Sequence, residues 1–364
     1  MHKNNPPGVL DCMRVDPPDQ ISIIQVLSRA GSQKLVFLAT WRLTQAQVVL
    51  KRLIGPPEMT KRILERELLI HQLSREHPNI ILTDVLRNSK GEAFLVEKYL
   101  PVLLHDGWRS HGVLEAANLL YDISHALSFL HGNGLVHGDV KPDNIGIDRQ
   151  AYILLDFGIC RPSEEFTRAD VTATGSLRTR APEVLEANSY VNVDPPKVDV
   201  WALGATVYNS LAKRFPLFAE GEAPPRVSRP DERGPFEAEL ARRARDEWES
   251  KVDLQLVPEP IRKLLGKALE RDPERRWSAE QLMKQAETEL SAFVRRSSDV
   301  GRFSPLDELR QLEAYLPSTE ILRLMPVMRR QRLQERLRAL KNTHGFNAEE
   351  RHRADMLLQN VEVR

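Results

Sequence analysis

Short apolar runs separated by polar turns dominate the first part of the chain. Residues 21–51 hold three such runs, a pattern typical of a small antiparallel sheet. Residues 60–73 instead carry isoleucine and leucine at helical spacing, which predicts one amphipathic helix. Residues 80–86 and 93–99 return to strand character. The pattern therefore predicts a small sheet with one principal helix.

The remainder of the chain has mainly helical periodicity. A strong apolar stripe covers residues 116–130, and further helical segments run from residue 198 to about residue 290. Residues 220–235 are rich in proline, glycine and arginine, and we expect a loop insertion there. The sequence thus predicts an α+β fold in which a small sheet precedes a larger helical part.

Composition and charge exclude some classes of protein. The chain has 52 basic and 51 acidic side chains and a net charge of +1, so no general affinity for nucleic acid is expected. The basic stretch at residues 329–341 is a weak exception. Cys12 and Cys160 lie far apart without metal-ligand spacing, which fits a reducing compartment. Without an apolar run long enough to span a bilayer, we expect a cytoplasmic protein with no membrane partner.

One short segment carries most of the candidate chemistry. The sequence HGDVKPDN begins at His137, and DFG begins at Asp156. Asn144 and Asp156 offer the hard oxygen ligands that Mg²⁺ prefers when it binds phosphate. Asp139 can accept the proton of an attacking hydroxyl, and Lys141 can neutralise charge on the transferred group. The segment therefore predicts a phosphoryl-transfer site.

This segment resembles the catalytic and metal-binding loops of eukaryotic-type protein kinases. Further motifs of that superfamily follow in order over residues 21–290: VVLK ending at Lys51, APE ending at Glu183, DVWALG beginning at Asp199, and DPERR ending at Arg276. The resemblance implies a bilobal protein kinase fold. It also implies that Asp199 binds the catalytic-loop backbone and that Arg276 pairs with Glu183.

The resemblance implies a domain organisation as well. It consists of a flexible leader at 1–20, a sheet-rich N-lobe at 21–101, a helical C-lobe at 102–294 with an insertion at about 219–236, and a helical C-terminal extension at 295–364. That extension is where we expect a partner or a protein substrate to dock.

The resemblance further implies ATP and Mg²⁺ as cofactors, with Mn²⁺ as a possible substitute. Lys51 is expected to hold the α and β phosphates, and a carboxylate of the helix is expected to hold Lys51. Glu67 is our choice for that carboxylate, and Glu65 is the alternative. The predicted nucleotide-binding residues are Gly31, Val36, Val49, Lys51, Glu97, Tyr99 and Ile145, with Ile147 as an alternative to Ile145. The gatekeeper is either Val96 or Glu97.

The glycine-rich loop departs from the family pattern. Aligned on Val36, the three usual glycine positions hold Arg29, Gly31 and Lys34. Fewer glycines leave less room for backbone N–H groups to approach phosphate. Arg29 and Lys34 either compensate with side-chain charge or extend into solvent. We expect a modest nucleotide affinity that is partly electrostatic.

Gly138 is a second departure, because protein kinases usually carry arginine at that position. The form HGD is typical of small-molecule phosphotransferases such as the aminoglycoside and choline kinase families. Phosphorylation of a small molecule is therefore one alternative function. A second alternative is a catalytically weak pseudokinase that acts as a nucleotide-binding scaffold. Lys141, DFG, APE and the DxWxxG helix favour a Ser/Thr protein kinase with protein substrates.

Gly138 also has a regulatory implication. The usual arginine binds an activation-loop phosphate through charge-assisted hydrogen bonds. Without it, we expect activity that does not require phosphorylation at Thr167, Thr172, Thr174 or Thr179.

Overall fold

The fold is described from a computed structural model of the chain. It describes residues 15–28, 34–74, 77–105, 112–148, 151–166, 176–186, 193–224, 230–299, 334, 337–338, 341–342 and 346–362. Arg29, Gly31, Thr167, Thr172 and Thr174 lie outside these ranges, as do most of the leader, most of the basic stretch and much of the C-terminal extension.

The first part of the chain forms an antiparallel five-stranded sheet with one helix. The strands lie in the order β1-β2-β3-β5-β4. Their bounds are β1 Ile21–Ser28, β2 Lys34–Trp41, β3 Gln47–Leu53, β4 Thr83–Arg87 and β5 Ala93–Lys98, and helix α1 spans Pro57–Ser74. The predicted sheet and helix are confirmed, although the strand expected at residues 80–86 begins only at Thr83.

The two faces of this sheet differ in chemistry because side chains alternate along each strand. One face is a closed apolar cluster, whose buried members are Ile21, Phe37, Ala39, Val48, Leu50, Phe94 and Val96. Residues that pair directly across neighbouring strands lie on the same face. The register pairs Val36 with Lys51 and Val49 with both Leu38 and Glu97. The opposite face therefore carries four of the predicted nucleotide-binding residues, Val36, Val49, Lys51 and Glu97.

The second part of the chain is mainly helical. Its helices are α2 Val113–Gly132, α3 Pro182–Leu185, α4 Pro195–Ala212, α5 Pro230–Asp246, α6 Trp248–Lys251, α7 Glu259–Ala268, α8 Ala279–Asp299 and α9 Ala348–Glu362. One short strand, β6 Val102–Leu103, precedes α2. Four more lie between α2 and α3, namely β7 Leu135–Val136, β8 Ile145–Asp148, β9 Ala151–Leu154 and β10 Arg161–Pro162. This arrangement confirms the bilobal α+β fold.

The large core lies around α2 and α4. The apolar stripe predicted at residues 116–130 is buried, and α2 packs against α4, α8 and β9. Helix α4 is buried on most sides because it carries no charged residue after Asp199. These two helices fix the base of the catalytic segment, which begins directly after β7.

The insertion differs from its prediction as a loop. Helix α5 begins at Pro230, so the second half of the expected loop is helical, while residues 225–229 lie outside the described ranges. Proline is well suited to the first helical position, where its missing N–H has no intrahelical partner to lose. Within the described residues, none of the helices combines the length and the apolar character required to cross a membrane.

Candidate active site

The backbone of the catalytic segment is held by one buried carboxylate on α4. Asp199 accepts hydrogen bonds from the backbone N–H groups of His137 and Gly138, both at 2.8 Å. Its side chain also lies 3.0 Å from Nε2 of His131, at the end of α2. The predicted role of Asp199 is confirmed, since these bonds fix the loop that carries Asp139.

The Asp139 carboxylate is oriented by hydrogen bonds to one of its two oxygen atoms. Its Oδ2 accepts hydrogen bonds from Nζ of Lys141 at 2.5 Å and from Nδ2 of Asn144 at 3.0 Å. Nδ2 of Asn144 also donates to the Asp139 carbonyl oxygen at 2.8 Å. The Oδ1 atom is buried and has no hydrogen-bond partner among the described residues. An oriented carboxylate with a vacant acceptor atom is suited to take a proton from a substrate hydroxyl.

The DFG segment is anchored by its phenylalanine. The Phe157 side chain is fully buried and packs edge-on against the His137 ring, with 5.2 Å between ring centroids. The Nε2 atom of His137 lies 3.0 Å from the Leu155 carbonyl oxygen. Asp156 adopts a left-handed backbone with φ of 62°, an uncommon conformation that is found at functional sites. Its side chain remains 42% exposed.

Lys34 lies between Glu67, which was predicted to hold Lys51, and the predicted metal ligand Asp156. Its Nζ atom is 2.8 Å from Oε1 of Glu67 and 2.6 Å from Oδ1 of Asp156. The side chain is only 8% exposed, so the expectation that Lys34 extends into solvent is wrong. Burial alone would lower the pKa of Lys34, but the charges of Glu67 and Asp156 outweigh it and raise the pKa above its usual value.

Lys51 has a different partner from the one predicted. Its Nζ atom is 2.5 Å from Oε1 of Glu97, and the same oxygen accepts a hydrogen bond from Oγ1 of Thr83 at 3.3 Å. The predicted pair of Lys51 with Glu67 is therefore absent from the described contacts. Glu97 lies opposite Val49 in the sheet, so it is the diagonal neighbour of Lys51 on the same face. A lysine side chain spans that distance readily.

Neither candidate, Glu67 or Glu65, pairs with Lys51 in the described contacts, and the two lie on different sides of α1. Glu67 is 1% exposed and lies on the buried side of the helix. Glu65 is 61% exposed and lies 3.9 Å from Lys61 on the outer side. Burial raises the pKa of Glu67 in spite of the Lys34 charge, and its Oε2 atom has no hydrogen-bond partner in the described part of the chain.

The remaining predicted nucleotide-binding residues line the cleft face of the sheet and its floor. Val36 and Val49 lie on that face and are half-buried. Glu97 also lies there, whereas Val96 belongs to the apolar cluster on the opposite face. Of the two gatekeeper candidates, Glu97 is thus the one whose side chain lies on the cleft face of the sheet.

Other predicted nucleotide-binding residues lie in strand β8 and directly after strand β5. Ile145 is fully buried in β8, and Ile147 is half-buried beside Val102. The backbone N–H of Tyr99 faces the Gln47 carbonyl oxygen at 3.4 Å.

The metal-ligand chemistry fits the residues predicted for it. Asn144 and Asp156 offer an amide oxygen and a carboxylate beside the Asp139 carboxylate, and Mg²⁺ takes one or two carboxylates together with phosphate oxygens. Because Nδ2 of Asn144 is committed to Asp139, its amide oxygen is the atom that remains to bind metal. No cluster of three or more His, Cys, Asp or Glu side chains suited to a protein-only metal site occurs in the described ranges. Cys160 is buried, and burial raises the pKa of its thiol, so it is an inert apolar side chain.

A buried ion pair supports the segment that follows the site. Arg276 donates to both carboxylate oxygens of Glu183, at 2.6 Å and 2.9 Å, and both side chains are almost completely buried. The guanidinium also lies over the Trp201 ring, 5.3 Å from its centroid. The predicted pair is confirmed.

Gly138 makes room for an aromatic ring from the segment after DFG. It has φ of 78°, and a Cβ atom at this position would lie 2.9 Å from the Phe166 ring. The guanidinium of Arg161 lies over the Phe166 ring, 5.1 Å from its centroid. The sequence showed only that Gly138 replaces the usual arginine. No pattern in the sequence indicated that Phe166 packs against it.

Comparisons with known proteins agree with this geometry. A family model described as the protein kinase domain matches residues 30–286. Sperm motility kinase 2B of Mus musculus is 31% identical over 206 residues, which are 55% of this chain and 41% of the mouse protein. Serine/threonine-protein kinase CST20 of Candida albicans is 27% identical over 301 residues, which are 81% of this chain and 22% of that protein.

A relative from Schizosaccharomyces pombe, serine/threonine-protein kinase ppk25, is 33% identical over 205 residues, which are 54% of this chain and 47% of the relative. The chain therefore spans less than half the length of each of these proteins.

Proposed function

The chain belongs to the protein kinase family, and from this premise we propose that it transfers the γ-phosphoryl group of ATP to serine or threonine hydroxyls of protein substrates. The single observation that carries the proposal is the Asp139 carboxylate. One of its oxygens is held by Lys141 and Asn144, and the other has no hydrogen-bond partner in the described structure. A general base requires this combination of fixed orientation and an unoccupied acceptor atom.

The protein residues divide the work of the reaction. Oδ1 of Asp139 accepts the proton that leaves the substrate hydroxyl as its oxygen attacks phosphorus. Lys141 is bound to Asp139 and lies where its positive charge can stabilise the transferred group. Asp199 keeps the backbone of the loop fixed, so the base is positioned before the substrate arrives.

Asn144 and Asp156 are the residues proposed to hold Mg²⁺. The bound metal would neutralise charge on the phosphates, which is the main electrostatic requirement of phosphoryl transfer. Two observations support this: Nδ2 of Asn144 donates to Asp139, which leaves its amide oxygen for the metal, and the Asp156 side chain is 42% exposed.

The first test is transfer of labelled γ-phosphate from ATP to a generic protein substrate. We expect Asp139→Asn to lower kcat by about 10²–10⁴-fold, because the general base is lost. Asp156→Ala should abolish transfer as well, because a metal ligand is lost. Asp84→Asn removes an exposed carboxylate from β4 and is the matched control, for which we expect wild-type activity.

The same assay separates the alternatives. Labelling of an aminoglycoside or choline without labelling of protein would favour a small-molecule phosphotransferase. Nucleotide binding without any transfer would favour a pseudokinase scaffold. We rank both below the protein kinase, because the pair of Glu183 and Arg276 maintains the segment that directly follows the peptide-docking loop of protein kinases.

We further propose that activity does not require phosphorylation of the activation loop. The position of the usual phosphate-binding arginine holds Gly138, and the space beside it is occupied by Phe166 under the Arg161 guanidinium. This aromatic contact anchors the start of the loop without a phosphate group. Thr179 is 3% exposed, which makes it a poor substrate for a modifying kinase.

Phosphatase treatment tests this second proposal. We expect the treated protein, verified as unphosphorylated by mass spectrometry, to retain its rate within about twofold. Phe166→Ala should lower the rate of the treated protein, because the loop loses the contact that replaces a phosphate. A treated wild-type protein that becomes inactive and recovers upon rephosphorylation would contradict the proposal.

A further inference from the structure

Two buried lysines lie on the cleft face of the sheet, and each has its own carboxylate partner. Lys34 contacts Glu67 and Asp156, whereas Lys51 contacts Glu97. We propose that Lys34, and not Lys51, is the lysine that positions the nucleotide phosphates. This assignment rests on the proposed function, since it names a binding residue of the same site.

Lys34 has the position that this role requires. Its Nζ atom lies between the α1 carboxylate of Glu67, at 2.8 Å, and the proposed metal ligand Asp156, at 2.6 Å. A metal held by Asp156 must lie beside the phosphates, so the Lys34 ammonium is next to them as well. Lys34 also holds the third glycine position of the loop that covers phosphates in this family.

Gly158 provides the space that the Lys34 side chain occupies. A Cβ atom on Gly158 would lie 3.0 Å from Nζ and 3.3 Å from Cε of Lys34, closer than most real Cβ contacts. The glycine that follows Phe157 thus allows the ammonium group to approach Asp156. The contact indicates that the Lys34 side chain and the DFG segment are fitted to each other.

Lys51 is held away from the phosphates by a buried pair. The side chains of Lys51 and Glu97 are 9% and 5% exposed, and Thr83 donates to the same carboxylate oxygen. If Lys51 turned toward phosphate, Glu97 would remain buried without a counter-charge, which is a strongly unfavourable arrangement.

Equilibrium binding distinguishes the two lysines. We would titrate the full chain with ATP in the presence of Mg²⁺, and separately with adenosine, which has no phosphates. For Lys34→Met we expect the ratio of ATP affinity to adenosine affinity to fall on the order of 10–100-fold, as for loss of a charge-assisted hydrogen bond. Adenosine affinity itself should change less than twofold, because the base pocket is intact.

The matched variant for Lys51 replaces both members of its pair. In Lys51→Met/Glu97→Met no buried charge is left alone, so the sheet should remain folded, and we expect the affinity ratio to stay within twofold of wild type. Lys61→Met removes an exposed lysine of α1 and controls for net charge.

The proposal is overturned by a wild-type ratio in Lys34→Met, or by an equal fall of the ratio in the double variant. A wild-type chain that binds ATP no better than adenosine would overturn it too. A chain that shows the expected pattern but transfers no phosphate to protein would contradict the proposed function and still support this assignment.

Discussion

His77 is a half-buried histidine whose surroundings keep it neutral. Its ring lies 4.4 Å from the His125 ring and 4.9 Å from the Phe129 ring, measured between centroids. Burial is the main cause, and the charge that His125 can carry adds to it, so the pKa of His77 falls from 6.5 to about 3. Nδ1 already accepts the backbone N–H of Asn79 at 3.2 Å, so protonation of that atom would break a hydrogen bond.

This shift predicts a loss of stability in mild acid. The unfolded chain binds a proton at His77 below about pH 6.5, whereas the folded chain does so only near its much lower pKa. Between pH 7.5 and 5.5 the free energy of unfolding should therefore fall by about 1 kcal/mol through His77 alone. Urea titrations of wild type and His77→Gln at both pH values measure this.

The variant should show a smaller fall between the two pH values than wild type does. Equal pH dependence in the two proteins would mean that His77 titrates normally in the folded chain.

Gly138 is the residue at which backbone conformation and packing act together. Gly138→Ala places a Cβ at a left-handed position and against the Phe166 ring, so we expect a loss of about 1–3 kcal/mol in the free energy of unfolding. Gly132→Ala is the matched control, because a Cβ there meets nothing within 4 Å. If both variants were equally stable, the Phe166 contact would be too loose to anchor the loop.

At the scale of elements, the pair of Glu183 and Arg276 joins α3 to the turn between α7 and α8. Both side chains are desolvated, so removing one of them leaves the other charge buried. We expect Arg276→Met to cost about 3–5 kcal/mol in the free energy of unfolding. Arg275→Met is the control, since Arg275 is 69% exposed, and denaturant unfolding compares the two variants.

Replacing both partners in Glu183→Met/Arg276→Met should restore part of the lost stability, because no charge then remains unpaired. A double variant less stable than Arg276→Met would show that the attraction within the pair exceeds the cost of removing both charges from water.

The same elements explain what the sequence could predict. Asp199 and Arg276 were assigned correctly because each belongs to a motif whose partners are implied by the resemblance to protein kinases. The sheet and α1 were predicted from periodicity, since apolar spacing determines which face is buried. The helical start of α5 was missed because prolines and arginines at residues 220–235 indicate a loop when the packing against α3 is unknown.

The partners of the two lysines could not be predicted from spacing. A lysine side chain can reach several carboxylates, and the choice among them depends on which carboxylate would otherwise be buried alone. The alternation in β5 did contain a signal, because it places Glu97 on the same face as Lys51. Lys34 carried the corresponding signal in β2, where it shares a face with Val36.

At the scale of the whole molecule, charge is nearly balanced and the cationic groups of the cleft are buried. With a net charge of +1, long-range attraction of a nucleotide is weak, whereas the Lys34 ammonium is shielded from mobile ions. We expect ATP affinity to fall between 50 and 500 mM NaCl, but by less than about tenfold. Calorimetric titration at both salt concentrations measures this.

Adenosine, which is uncharged, serves as the control and should bind equally at both concentrations. An ATP affinity independent of salt would contradict an electrostatic contribution to nucleotide binding.

The different roles of Lys34 and Lys51 affect how kinase activity is judged from the sequences of related chains. A survey that scores a kinase as active by the lysine of the third strand would count this chain as intact on the basis of Lys51. A related chain with apolar residues in place of both Lys51 and Glu97 would be classed as inactive, although it retains the Lys34 ammonium. A related chain that lacks only Lys34 would be classed as active, although it lacks the lysine that we propose binds the phosphates.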